Sequence, residues 1–518
     1  MTRAVNGAQA LLQTLLNCGV EVCFGNPGTS EMHFVAALDA IPGMRPVLCL
    51  FEGVATGAAD GYGRMAEKPA AVLLHLGPGL ANGLANLHNA RRAATPIVNV
   101  VGDHATYHLQ YDAPLTSDIV GFARPVSSWI CESKSALAVA ADAARAVQAA
   151  RAAPGGIATL ILPADTAWND APHAAIPLPD CGPARVPDAA VEESAGLLQN
   201  GRRTAILLRG KALTGGALET AGRISARTGA RLMCDTFAPR IQVGAGRVMV
   251  ERLPYFAEQI VEFLTGVEQI VLVGAKPPVS FFAYPGRRSW CAPDGCRFAR
   301  LAHEHEDGAG ALDALAQVLG APTSPVARLP LVLPDRPRGP LTAVSVAAAV
   351  AHLTPEHVIL AEEAATSGLP LAAAMARARP HDHLTLTGGS IGLGLPLAVG
   401  AAVACPDRKV VCPHGDGGAA YTVQALWTMA REKLDVTVVL YANRAYAILN
   451  IELQRVGASG AGAKALSMLD LHDPEMNWAQ IARGFGIEAS RATTSEEFTS
   501  QYESAMKTRG PRLIEALI

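Results

Sequence analysis

The stretch Gly415–Tyr446, GDGGAAYTVQALWTMAREKLDVTVVLYANRAY, constrains the fold more than any other part of the chain. An apolar run from Lys409 to Cys412 precedes it and reads as a strand. Gly415-Asp416-Gly417-Gly418 forms a turn, and a helix is expected from about Ala420 to Lys433. A second run, Val436 to Tyr441, is rich in β-branched residues and reads as a buried strand ending in Ala442-Asn443-Arg444. A right-handed crossover puts the C-terminal ends of both strands on one sheet edge, so Asp416 and Asn443 converge. A carboxylate and an amide oxygen, with a backbone carbonyl nearby, suit a hard divalent cation such as Mg²⁺. Glycines at a helix N-terminus let backbone N–H groups approach a phosphate. The unit therefore reads as a metal–diphosphate clamp. The plainer alternative is a strand-to-helix turn with Asp416 as its cap.

The rest of the chain bounds what surrounds this clamp. Its 518 residues are enough for about three domains at ~150 residues each. With 50% hydrophobic and 17% charged residues, a large core is expected. A net charge of −3 gives no reason to expect nucleic acid or an anionic membrane as partner. The ten cysteines include no CxxC pair, and neither Cys18/Cys23 nor Cys291/Cys296 has metal-site spacing. They read as apolar thiols in a reducing compartment, so a cytoplasmic protein is expected. The N-terminal apolar run, with Arg3 before it, is interrupted by Gln13 and Asn17 and reads as an amphipathic helix. Gly388 to Pro406 is free of charge over 19 positions. Its glycines and Pro396 favour a buried loop and helix over a membrane span.

Read in order, the chain alternates strand and helix, which predicts an α/β fold with doubly wound parallel sheets. Residues 6–19 read as helix and Val20–Phe24 as strand, followed by Gly25-Asn26-Pro27-Gly28-Thr29-Ser30-Glu31. Thr29 or Ser30 is suited to cap the next helix. Strands at Pro46–Leu50, Ala70–Leu74 and Pro96–Val101 are expected, with Gly77-Pro78-Gly79 breaking the chain before a helix at Leu80–Arg92. Sites in such sheets gather at strand C-termini, where Glu52 and His75 fall. Asp165–Ala190 and Ala321–Pro340 read as linkers. Three domains result, 1–165, 190–320 and 341–518, the second with strands near Thr204–Leu208 and Gln269–Val273.

FGNPGTSE at 24–31, FEGVATGAADGYGR at 51–64, GGSIGLGLP at 388–396 and the GDG…N pair occur in that order. Asn443 follows Asp416 by 27 residues, and Ile391 precedes Asp416 by 25. Together these motifs resemble the thiamine-diphosphate (ThDP) dependent 2-oxo acid decarboxylases and the acetolactate synthase group, over nearly the full length. Benzoylformate decarboxylase is the member whose pattern is most similar. The resemblance implies pyrimidine-binding, central and diphosphate-binding domains, with ThDP and Mg²⁺ as cofactors. Asp416, Asn443 and the backbone carbonyl of Ala445 would hold the metal. Gly415, Gly417, Gly418 and Tyr446 would line the diphosphate side. Glu52 would share a proton with the aminopyrimidine ring, Gly389 would accept from it through its carbonyl, and Ile391 would wedge the cofactor into a V shape. An acid flanked by Phe51 and small residues is expected to be buried.

On the substrate side, the resemblance makes His75 the acid/base and Thr29, beside Gly28, the hydrogen-bond donor to a substrate carboxylate. Each residue has a plainer reading: Glu52 as a helix cap, Ile391 as core, His75 as structural, Thr29 as a cap. The chain also departs from its relatives. Phe282 stands near the second active-site histidine of benzoylformate decarboxylase. Pro114-Leu115 replaces the Phe-Gln pair of acetolactate synthases, and Leu449 replaces a pyruvate decarboxylase glutamate. The pocket is thus expected to be more apolar. GAKPPVSFF does not match the flavin-binding stretch, so FAD is not expected. The expected activity is decarboxylation of a 2-oxo acid, with carboligation to an aldehyde or ketone as an extension. An acetolactate synthase-like carboligase and a non-catalytic ThDP-binding protein are the alternatives. A homodimer or homotetramer is implied, with Glu52 of one chain meeting the clamp of another. Gly53, Ala55, Gly57, Ala58 and Ala59 suit a close helix contact across that interface, or equally within one chain.

Overall fold

The computed structural model describes residues 5–323, 328–458 and 460–518, so Arg3 and part of the second linker lie outside the described residues. Three sheets dominate, and all but one of their strand pairings are parallel, as the alternation of patterns predicts. The first sheet has the order Arg45–Leu48, Val22–Gly25, Ala70–His75, Ile97–Asp103, Ile157–Pro163, Trp129–Glu132. The middle sheet has the order Glu251–Arg252, Arg231–Cys234, Thr204–Leu208, Gln269–Val273, Arg297–Ala302. The third is built on His381–Leu384, Ile359–Ala361, Val410–Gly415, Val436–Ala442, Arg512–Leu517 and Glu488–Ala492.

The exception is Arg240–Val243, which leaves the middle segment and pairs antiparallel with His381–Leu384 as the edge of the third sheet. No sequence period reveals this, because the strand's partner lies more than a hundred residues away. The first linker also holds structure. A helix at Ala164–Trp168 and a two-residue strand, Asp170–Ala171, close back onto Val5–Asn6.

Two helices join the first and third sheets into one continuous apolar core: Glu52–Ala66 and Gly394–Ala404. Their small residues let the backbones approach closely. A Cβ on Gly61 would lie 3.0 Å from the Leu397 Cα, and one on Gly57 would lie 2.6 Å from the Pro396 Cβ. The small-residue stripe of the Glu52 helix packs against the helix Gly394–Ala404 of its own chain. The charge-free stretch at Gly388–Pro406 is accordingly a loop followed by a buried helix. Among the described residues, no helix is long and apolar enough to cross a membrane. All ten cysteines are free, and burial pushes the Cys23 and Cys234 thiols up to about 12.

A buried ion pair ties the three segments together. Arg64 donates to Asp60 at 2.8 Å and 2.5 Å, to the carbonyls of Pro239 (3.2 Å) and Thr385 (2.7 Å), and to the Thr387 hydroxyl (3.0 Å). Each guanidinium donor reaches an acceptor, which a buried charge requires.

Two helices differ from expectation near the site. Gly77-Pro78-Gly79 does not break the chain, and the helix runs from Leu76 to Ala93. Pro78 sits in the first turn, where its missing N–H would have no intrahelical partner. The helix expected at Ala420–Lys433 is instead a short turn at Asp416–Ala419, a 3₁₀ turn at Ala420–Thr422 and a helix at Ala425–Arg431. Tertiary hydrogen bonds accompany this division. Thr422 Oγ1 donates to the Gly392 carbonyl at 2.9 Å, and Thr428 Oγ1 to the Leu48 carbonyl at 3.1 Å.

Candidate active site

Asp416 and Asn443 meet as the strand register requires. Gly415 and Tyr441 are paired in neighbouring parallel strands, so both chains turn off the same edge. Asp416 Oδ2 accepts the Arg444 N–H at 2.7 Å, and its Oδ1 accepts the Gly417 N–H at 2.8 Å. Asn443 Oδ1 accepts the Ala445 N–H at 3.1 Å. Burial pushes the Asp416 carboxyl above the usual carboxylate range, while the two backbone N–H groups pull it back. The Tyr446 ring lies over the turn, since a Cβ on Gly417 would sit 2.5 Å from its Cε1. Facing this turn is the loop 388–393. Gly389 has φ +76°, which favours glycine, and a Cβ there would lie 2.7 Å from the Phe281 ring. Ile391 is partly buried at the centre of the loop.

A second cluster gathers at the edge of the first sheet. His75 ends its strand, and Leu76 turns the chain sharply into the next helix with φ +48°. A left-handed backbone at a branched residue costs about 1–3 kcal/mol and persists where the surroundings over-determine it. His75 Nδ1 lies 2.8 Å from Glu31 Oε2, which also accepts the Gly28 N–H at 2.7 Å. Glu31 is only 2% exposed, and its Oε1 is buried with no hydrogen-bond partner. Burial raises the Glu31 carboxyl, and the His75 ring opposes that shift. Gly28 must be glycine, because a Cβ there would sit 2.6 Å from His75 Cδ2. Glu52 begins its helix, is 8% exposed, and accepts from Asn82 Nδ2 at 3.0 Å. It converges with His75 on Gly79: a Cβ at that position would lie 3.3 Å from His75 Cβ and 3.4 Å from Glu52 Oε1.

The remaining residues are distributed between the two clusters. Thr29 lies in a 3₁₀ turn and is exposed. Neither Thr29 nor Ser30 caps the following helix, because the Glu31 carboxylate reaching back to the Gly28 N–H takes that place. Pro114 and Leu115 are exposed on the segment whose Phe122 lies beside Gly77. Phe282 is exposed, and its ring is 4.9 Å from that of Phe281, which lies beside Gly389 in the loop 388–393. Leu449 is exposed on the helix Ala447–Arg455, which Tyr284 reaches through Glu452 at 3.0 Å. Among the described residues, no hydrogen bond joins Glu52 or His75 to Asp416 or Asn443. The clusters are connected instead through Asn86, whose Nδ2 donates to the carbonyls of Gly53 (2.7 Å) and Gly392 (3.3 Å).

Two family matches decide what this arrangement is. Residues 5–121 match the thiamine pyrophosphate enzyme N-terminal TPP binding domain, and residues 363–516 match the corresponding C-terminal TPP binding domain. The chain belongs to the thiamine pyrophosphate enzyme family. A Mycobacterium tuberculosis protein with the provisional description acetolactate synthase large subunit is 54% identical over 99% of each chain. Benzoylformate decarboxylase of Pseudomonas aeruginosa is 28% identical over 98% of this chain and 97% of its own. Crystallised benzoylformate decarboxylase from Polynucleobacter necessarius has the same fold, with a TM-score of 0.86 at 23% identity, covering 99% of this chain and 98% of its own.

The residues present fit the cofactor of that family. One carboxylate, one amide oxygen and nearby carbonyls form a hard-oxygen donor set, suited to Mg²⁺ rather than to a soft metal. Among the described residues there is no cluster of three or more His, Cys, Asp or Glu side chains to hold a metal in another way. Several residues of this thiamine pyrophosphate enzyme site escape a reading of the sequence. Glu31 stands 44 positions from His75 and Asn82 stands 30 from Glu52, so only folding pairs them. The one local hint is the Gly-x-x-Glu spacing, at which the Glu31 carboxylate reaches back to the Gly28 N–H.

Proposed function

We propose that the chain is a ThDP- and Mg²⁺-dependent lyase that decarboxylates a 2-oxo acid in the manner of benzoylformate decarboxylase, with carboligation to an aldehyde or ketone as a second outcome. The observation that supports this most is the convergence of Glu52 and the Glu31-bound His75 on Gly79. Two residues able to handle protons approach the same backbone position, one for the cofactor ring and one for the substrate.

When bound, ThDP supplies an electron sink for the charge left as carbon dioxide departs. In this reading Asp416, Asn443 and the Ala445 carbonyl hold the cation, and the Gly415–Gly418 turn with Tyr446 receives the diphosphate. Glu52 holds a proton at the pyrimidine ring, and the Gly389 carbonyl accepts from the same ring. His75 delivers a proton to the substrate carbon, with Glu31 fixing its tautomer and orientation. The exposed Thr29 hydroxyl orients the substrate carboxylate against Gly28. Pro114, Leu115, Phe282 and Leu449 supply an apolar wall, which favours a 2-oxo acid with an apolar side chain. The Glu52 and Asp416 clusters complete each other across a homodimer or homotetramer.

A second reading, an acetolactate synthase-like carboligase, is favoured by the description of the 54% identical relative. Pro114-Leu115 weighs against it, because that pair replaces the Phe-Gln pair of acetolactate synthases, their acceptor-recognition groups. The deciding experiment is a panel of 2-oxo acids with carbon dioxide release and product identification, with and without ThDP and Mg²⁺. An aldehyde formed only with both cofactors supports the lyase. Acetolactate from pyruvate as the main product supports the carboligase. No release from any acid, with ThDP retained, refutes both.

A further inference from the structure

The family assignment leaves one buried charge without a task. Glu363 follows the strand Ile359–Ala361 and is 4% exposed. Its carboxylate accepts three consecutive backbone N–H groups: Gly392 at 2.6 Å on Oε1, and Leu393 at 2.7 Å and Gly394 at 2.6 Å on Oε2. These groups lead into the helix Gly394–Ala404, where N–H donors have no intrahelical partner. A buried carboxylate is costly unless its oxygens are satisfied, and short bonds from oriented N–H dipoles do so here.

The same residue also grips the diphosphate turn. Its backbone N–H donates to the Pro413 carbonyl at 2.9 Å, and its carbonyl accepts the Gly415 N–H at 3.1 Å. Its side chain fills the space beside Gly418, where a Cβ would lie 2.8 Å from Oε1. One residue thus touches both parts expected to hold ThDP. From the other side the loop is tied by Asn89, which donates to the Ser390 carbonyl at 2.8 Å and accepts the Ser390 N–H at 3.2 Å. His88 adds a bond to the Gly388 carbonyl at 3.1 Å. Ile391 lies between the residues held by Asn89 and those held by Glu363.

We propose that Glu363 is a positioning residue that sets the spacing between the loop carrying Gly389 and Ile391 and the turn carrying Asp416. It touches neither substrate nor metal. Its carboxylate fixes where the loop carbonyl and the Ile391 wedge stand relative to the diphosphate end. This inference rests on the ThDP-binding reading of the site and is independent of which 2-oxo acid is used.

Two variants test it. Glu363→Gln keeps the length but presents one acceptor oxygen and an NH₂ group to three donors. Glu363→Asp keeps the charge and both oxygens but withdraws them by one methylene, displacing the loop by roughly 1.5 Å. The readouts are ThDP affinity by calorimetry, the rate of C2-proton exchange at saturating ThDP and Mg²⁺, and melting temperature without cofactor. At least a tenfold slower exchange at saturation is expected in Glu363→Asp, because a misplacement of about 1 Å in a positioned group costs up to about 100-fold. Glu363→Gln should show the same loss with weaker ThDP binding. If Glu363→Gln does not fold, Glu363→Asp decides alone. A variant with a lower melting temperature but wild-type exchange at saturation has lost only a structural contact, and that result overturns the proposal. If the wild-type chain itself bound no ThDP, the cofactor reading would fail first and this proposal with it.

Discussion

Gly400→Ala probes the contact between the two helices that leave the site. Gly400 lies inside the helix Gly394–Ala404, where alanine is intrinsically better by about 0.8–1 kcal/mol. The structure reverses the sign. A Cβ at Gly400 would overlap the Ala58 carbonyl oxygen and lie 2.5 Å from the Tyr62 nitrogen, both backbone atoms of the Glu52 helix. Ordinary contact begins near 3.4 Å, so the helices must separate by about 1 Å or more. Overpacking of this kind costs typically 1–3 kcal/mol, and here no side chain can rotate away. With overpacking at the upper end of that range, the expected net loss is about 2 kcal/mol, a fall of roughly 2 °C in melting temperature for a chain of this length. The same displacement moves Glu52 relative to the loop 388–393 that leads into the Gly400 helix, so turnover should drop by up to about 100-fold. Gly196→Ala is the control: in its helix, Asp188–Gln199, nothing lies within 4 Å of the new methyl, and about 0.5–1 kcal/mol of stabilisation is expected. Melting curves and decarboxylation rates on both variants decide the matter. A Gly400→Ala protein as stable and active as the parent would refute the close-packing argument.

Three further outcomes are expected. Asp416→Ala should weaken ThDP binding by roughly 10–100-fold through loss of one charged ligand, and equal affinity by calorimetry with and without EDTA would reject the clamp. His75→Ala should retain ThDP and C2 exchange while turnover falls about 10²–10⁴-fold, and near-normal turnover with a lower melting temperature would make His75 structural. His381 is 3% exposed, and burial lowers its ring from 6.5 to about 4. The unfolded chain therefore takes up a proton near pH 6.5 that the folded chain refuses until about pH 4. Stability should fall by on the order of 3 kcal/mol as pH drops across that window and level off below it. Urea unfolding at pH 7 and pH 5 should show a smaller difference in His381→Asn, and an undiminished one would exclude His381 as the source.

What the sequence by itself determined was the set of chemical parts and their order along the chain. Gly415-Asp416-Gly417 and Asn443 are bracketed by β-branched strands, and parallel pairing leaves only one sheet edge where they can meet. That inference needed a local pattern and a handedness rule, both written in adjacent residues. The strands at Thr204–Leu208 and Gln269–Val273 were legible for the same reason. Tertiary structure decided everything that depends on contacts across large separations. Glu31 orients His75, and Glu363 holds Gly392–Gly394, through side chains whose partners lie roughly 30–45 positions away. Arg240–Val243 joins the third sheet because His381–Leu384 offers an open edge, and nothing in its own four residues names that partner. The small residues of the Glu52 helix state only that something approaches closely. That the helix Gly394–Ala404 packs there is decided by the geometry of the whole core, because close packing is a property of two surfaces and the sequence around Glu52 describes one of them.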